Sequence, residues 1–244
     1  MNSLMHMFSD PYELTMFLFR IPIMLLALSV HEASHGLAAY KCGDPTAKNL
    51  GRLTLNPIRH LDLIGSICML LFGIGWAKPV PVNTRYFKNP RNGMALTAFA
   101  GPLSNVAMSV IGIILFSVIA CVLEPTSKIL IFAGFFFYYF HIVNLMLGIF
   151  NLIPIPPLDG SRIAFIFLPD KIYFGIMKYE EIIKMVFLFV IFFFGASFIG
   201  DIASAISDAL MKLIFMIPGF EEGEIYVFFA KFYSIFRESG NTLV

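Results

Sequence analysis

Apolar runs long enough to cross a bilayer constrain this chain more than any other feature. A spanning helix needs about 20 consecutive apolar residues to cover about 30 Å of hydrocarbon. Five apolar segments stand out: Leu14 to Tyr40, Leu63 to Ala77, Met94 to Leu123, Ile129 to Ile153 and Ile182 to Ile199. The first, third and fourth are long enough to span, and the fifth is adequate with its flanks. The second is short and carries Gly65, Gly73 and Gly75. Composition agrees, with 58% hydrophobic and 14% charged residues, where soluble domains average about 45–50% and about 25%. The expected fold class is an all-α polytopic membrane protein. It has about four spanning helices and a short re-entrant or hairpin segment between the first and second spans.

Other global features exclude more than they assign. A net charge of +1 gives no footing for nucleic acid. Cys42, Cys68 and Cys121 lack metal-ligand spacing and read as free, small apolar residues. No basic cluster precedes the first apolar run, so a cleavable signal peptide is not expected. Residues 1–212 read as a single membrane domain with a core at about 21–162. A tail follows at 213–244, in which Glu224 to Arg237 suits a helix lying in the membrane interface.

Lysine and arginine set the orientation. Lys41, Lys48, Arg52, Arg59, Lys78, Arg85, Lys88 and Arg91 face only Asp44 and Asp62 across the same stretch. The positive-inside rule puts this region in the cytoplasm. Lys171, Lys178 and Lys184, after the fourth segment, belong on the same side. The expected location is a multi-pass position in the cell membrane.

The first apolar segment contains His31, Glu32 and His35. Ionisable groups inside a membrane are expensive, and by default they mark function. On a helix, residues four apart share a face. The pattern H-E-x-x-H therefore presents two metal-binding rings together, with a glutamate placed to act on water at the same metal. The competing reading is a pair of satisfied interhelical histidines beside an ion-paired glutamate.

A catalytic zinc site needs a third protein ligand and an open position. His60, Asp62 and Cys42 are near in sequence; Asp159 is distant, in "NLIPIPPLDG" (Asn151 to Gly160). Pro154, Pro156 and Pro157 must break the helix there, and broken backbone at membrane depth is tolerated where it lines a polar cavity. A parity argument bears on Asp159. If the short second segment crossed the membrane, Asp159 and His35 would lie on opposite faces, about 30 Å apart. If that segment is re-entrant, they share a face. Asn144 and Asn151 are seven residues apart, with His141 just upstream. His141 and Asn144 read as helix–helix hydrogen-bonding groups, whereas Asn151 sits where its amide can donate to a developing oxyanion.

Taken in order, "HEASH", "GRLTLNP", "GWAKPVPVN", "AGPLSN" and "NLIPIPPLDG" resemble the site-2 protease family of intramembrane zinc metalloproteases. The likeness covers roughly Ile21 to Arg162. It implies one zinc ion per chain held by His31, His35 and Asp159, with Glu32 as general base and Asn151 assisting at the oxyanion. It also implies hydrolysis of membrane-anchored protein substrates in or near their transmembrane segments. Many relatives carry a PDZ or CBS domain; neither fits the short loop after the third segment or the tail, so a minimal form is expected. The alternative from another class is an intramembrane metal-ion transporter or metal-binding membrane protein. The extended stretch "WAKPVPVN" reads as a holder for an unwound substrate or as a plain loop.

Overall fold

A computed structural model describes residues 10–62, 65, 77–123, 125–194 and 196–240. Among them every regular element is helical, and an isolated antiparallel bridge joins Leu61 to Ala77. Helix α1 runs Pro11–Lys41 and the short α2 Thr46–Asn49. Helix α3 runs Pro90–Ser117 and continues through a π-helical turn, Val118–Val122; α4 runs Lys128–Leu152. Then come α5 (Asp159–Ala164), α6 (Asp170–Met177), α7 (Glu180–Phe194), α8 (Ala196–Phe215) and α9 (Glu222–Gly240).

Three of these are long and apolar enough to cross a membrane: Pro11–Lys41, Pro90–Val122 and Lys128–Leu152. They match the first, third and fourth apolar segments. The fifth segment lies on α7 and the start of α8, and Gly195 between them is outside the described residues. The short second segment, residues 63–76, lies outside the described residues apart from Gly65.

Local chemistry explains where the elements stop and start. Within α1, the hydroxyls of Ser29 and Ser34 donate to the carbonyls of Leu25 and Val30 four residues back, which keeps them satisfied inside apolar surroundings. α1 ends in a turn through Gly43 at φ 110°, a conformation that favours glycine. α3 opens on Pro90, where the missing N–H costs nothing. α4 stops at Leu152 ahead of its prolines, as the sequence requires. The chain turns, and helix restarts at Asp159. A side chain at Gly160 would overlap the carbonyl oxygen of Leu152, so only glycine lets α5 fold back this closely on the end of α4.

The chain forms two compact units. The first takes Met1–Met24, Met108–Val143 and Ser204–Val244. Its core is aromatic: Phe116, Phe228 and Phe232 are fully buried, and Phe135 stacks on Phe232 at 3.7 Å. From α9, Ile225, Phe228 and Phe232 supply one helical face of this core, while Tyr226, Val227 and Tyr233 are exposed. The second unit takes Leu25–Ala107 and Asn144–Ala203. It contains every residue singled out above for metal or catalysis.

Candidate active site

Helix α1 presents His31 and His35 one turn apart, and the break after α4 delivers Asp159 to the same place. His31 Nε2 lies 3.1 Å and His35 Nε2 3.2 Å from Asp159 Oδ2, and the two ring nitrogens are 3.0 Å apart. Close approach depends on α3. A side chain at Gly101 would collide with the His35 ring.

The outer nitrogens each have an acceptor of their own. His35 Nδ1 donates to the carbonyl of Thr97 at 2.7 Å, a group that can only accept. His31 Nδ1 donates to Asn105 Oδ1 at 2.5 Å, and Asn105 Nδ2 donates onward to Asn144 Oδ1 at 3.1 Å. With Nδ1 carrying the proton, the Nε2 lone pair of each ring would be the one offered to a metal, and these point toward each other and toward a carboxylate oxygen. Asp159 Oδ2 is buried and accepts no hydrogen bond. Three electron-rich atoms about 3 Å apart repel one another unless a cation lies among them. Tetrahedral zinc with bonds of about 2.0–2.2 Å separates its ligand atoms by about 3.3 Å. The donor set and its spacing fit zinc.

Among the described residues, His31, His35 and Asp159 are the group of metal-type donors that converges. Of the nearer candidates, Cys42 and Asp62 stand outside it. His60 is buried, with Nε2 donating to the Thr54 carbonyl at 2.8 Å and Nδ1 unpartnered.

Glu32 and Asn151 border the same cleft. It encloses about 350 Å³ and is lined by His31, Glu32, His35, Asn151 and Asp159, with Pro79, Val80 and Val82 along one wall. Glu32 Oε2 accepts a hydrogen bond from Val80 N–H at 2.8 Å. Asn151 Nδ2 donates to the Leu147 carbonyl at 2.9 Å. The stretch 77–83 is non-helical, as its alternating prolines require. Asp44 anchors its far end: Asn83 N–H donates to Asp44 Oδ2 at 2.7 Å, and Thr46 donates to Asp44 Oδ1 from both its backbone and its hydroxyl. Burial alone would raise the Asp44 pKa; these hydrogen bonds outweigh it and hold the carboxyl below its ordinary value.

His141 has a different setting. Its Nδ1 meets the Ser109 hydroxyl and carbonyl at 2.8 and 3.0 Å, and its Nε2 meets the Ser207 hydroxyl at 2.9 Å. Asn144, read from the sequence as a helix–helix group, does bond across helices, and its partner Asn105 in turn bonds His31. Sequence reasoning passed over Asn105 and Thr97. A polar residue in an apolar helix could have flagged Asn105; the Thr97 carbonyl carries no sequence signal.

Apolar helices of spanning length that bring two histidines and an aspartate to one point define a membrane metalloprotein. Comparison with known proteins narrows that class. The sequence profile of peptidase family M50 matches residues 117–194, which takes in Asn151 and Asp159. The chain is 38% identical over 205 residues to a Bacillus subtilis (strain 168) protein named "Putative zinc metalloprotease YwhC", covering 83% of this chain and 93% of that one. It is 34% identical over 103 residues to "Putative zinc metalloprotease MJ0611" of Methanocaldococcus jannaschii, covering 41% and 49%. It is 32% identical over 142 residues to "Putative zinc metalloprotease Rip2" of Mycobacterium tuberculosis, covering 56% and 52%. No solved structure matches. The chain belongs to peptidase family M50, the site-2 protease family, and is a membrane zinc metalloprotease.

Proposed function

We propose that this protease hydrolyses peptide bonds in or near the transmembrane segments of membrane-anchored protein substrates. In this reading His31, His35 and Asp159 hold one zinc ion per chain and Glu32 is the general base. The observation that carries it is the convergence of the three donors, with Glu32 in the same cleft and His35 six residues before the end of a spanning-length helix at Lys41.

When bound, zinc supplies a Lewis acid for the scissile carbonyl and brings the pKa of water to near 7. The protein's own groups do the rest. Val80 N–H fixes one oxygen of Glu32, so the other can take a proton from the attacking water and return it to the leaving amine. The second hydrogen of Asn151 Nδ2 would donate to the oxyanion as charge develops, a reading supported by Asn151 lining the same cleft. Thr97 and Asn105 hold the imidazoles in the tautomer that faces Nε2 into the site. A peptide bond inside a helix is shielded by its own hydrogen bonds, so the substrate must unwind. The extended wall at 79–82 offers it a matching conformation.

The basic residues from Lys41 to Arg91 support a site near the cytoplasmic face of the cell membrane. They also support a re-entrant course for residues 63–76, and the flanks agree. Leu61 pairs with Ala77, and Lys78 N–H donates to the His60 carbonyl at 2.8 Å. The chain thus leaves and returns at one place, whereas a crossing would separate these ends by about 30 Å. Lys48→Cys and Lys88→Cys, each in a background lacking Cys42, Cys68 and Cys121, should both resist an impermeant thiol reagent applied outside intact cells. Labelling at 88 with protection at 48 would mean a crossing.

The main test is quantitative membrane proteomics on cells expressing the wild type or Glu32→Gln. Membrane-anchored proteins should accumulate uncut in the variant, with turnover falling about 10²–10⁴-fold while purified protein keeps its zinc. Equal cleavage by Glu32→Gln would remove Glu32 as the base.

A further inference from the structure

We infer that Arg52 is a positioning residue for Glu32, acting through the peptide unit that joins Pro79 to Val80. The inference rests on the reading of Glu32 as the base. Arg52 is buried, and among the described residues no carboxylate pairs with it. Its Nη2 donates to the carbonyls of Lys78 at 2.6 Å and Pro79 at 3.3 Å, while its Nε has no partner. A buried guanidinium is costly and ordinarily faces an anion. Here its charge is spent on two successive carbonyls of one extended stretch.

The prolines explain why that stretch matters. Pro79 and Pro81 have no N–H, so Val80 carries the lone backbone donor of residues 79–81. That donor goes to Glu32 Oε2 at 2.8 Å. The Pro79 carbonyl and the Val80 N–H are opposite ends of one trans peptide plane. Arg52 and Glu32 therefore grip a single rigid, polarisable unit from its two sides. Fixing the carbonyl fixes where the N–H points. A cation at the carbonyl also draws density from the nitrogen and makes its hydrogen a better donor to the carboxylate. Neighbouring bonds hold only the flanks: Lys78 N–H to the His60 carbonyl, and Asn83 N–H to Asp44. Neither touches the 79–80 unit. Arg52 does not line the cleft and is bonded to none of the metal donors, so its removal should spare the metal.

The test uses full-length protein in detergent micelles, comparing wild type, Arg52→Met and Arg52→Lys. Exchange of the Val80 amide is read first; Pro79 and Pro81 have no amide, so its signal is isolated from near neighbours. Exchange should be at least about tenfold faster in Arg52→Met and partly restored in Arg52→Lys, which keeps one cationic donor. Zinc content should match the wild type in both. With β-casein as the probe, an unfolded chain that needs no unwinding, kcat should fall at least about tenfold in Arg52→Met with KM unchanged, and Arg52→Lys should recover part of it. Unchanged Val80 exchange overturns the inference, as does a kcat loss that follows zinc loss or appears only in KM. If Arg52→Met does not fold, Arg52→Gln carries the same readings. Failure of the wild type to cut casein, or equal cutting by Glu32→Gln, counts against Glu32 as base. The amide reading then still decides whether Arg52 governs the 79–80 unit.

Discussion

Two regions of this molecule bury histidine in helices of spanning length, and they do so in opposite ways. His141, in the aromatic unit, has hydroxyl or carbonyl partners for both ring nitrogens. His31 and His35, in the other unit, give Nδ1 to an acceptor outside the donor cluster and turn Nε2 toward each other and toward Asp159. All three are buried, so burial does not separate structural from functional histidine. The separating feature is what the second nitrogen faces. A ring with both nitrogens bonded within the protein has no capacity left for a ligand. Rings that spend one nitrogen on a fixed acceptor and aim the other at further lone pairs form an arrangement that only a cation relieves.

Zinc content across a graded series would break or sharpen this comparison. Asp159→Ala removes the carboxylate that closes the donor set, so purified, folded protein should lose its zinc and with it all cleavage. Metal retained at full occupancy would mean that another donor holds it, and His60, whose Nδ1 is buried and unpartnered, would be examined next. Asn105→Ala should have a smaller effect. It removes the acceptor that sets the His31 tautomer, and loss of such outer partners lowers metal affinity about 10–100-fold. Competition against a zinc chelator measures both. An Asn105→Ala protein that binds zinc as tightly as wild type would show that the Asn144–Asn105–His31 chain is only a helix contact.

Much of this was legible in the sequence, for physical reasons that also mark where legibility ends. The four-residue spacing of His31 and His35 is a property of one helix, and the prolines before Asp159 act on their own backbone. Both effects are local, so both could be read without a fold. The three long apolar runs were equally plain, because a bilayer demands length and little else. Partners across helices were another matter. Asn105 and the Thr97 carbonyl meet the histidines because α3 packs against α1, and nothing local to either helix announces that. Gly101 was one letter of a motif until the space it leaves for the His35 ring was visible. Arg52 entered the sequence reading only as one positive charge among eight, yet it is buried and bonded to backbone.

The smallest effect on the metal should come from His141, and there the comparison is most exposed to failure. His141→Ala strips the partners from Ser109 and Ser207 and opens a void beside the α4 backbone. Gly112 packs closely against the His141 amide and Phe140, so neighbouring helices have little freedom to collapse into it. Hydrogen bonds between membrane helices are worth about 0.6 kcal/mol on average. With lost packing added, the variant should be less stable by about 1–3 kcal/mol, measured as a shift in its unfolding transition in detergent. Zinc stoichiometry and kcat should stay at wild-type values, because neither ring nitrogen of His141 has a lone pair or proton to spare. His141→Gln, which can still reach one hydroxyl, should recover part of the stability. Zinc loss in either variant, at a temperature where the protein remains folded, would mean that a histidine with both nitrogens satisfied is nonetheless coupled to the metal. The distinction drawn between the two kinds of buried histidine would then fail for this protein.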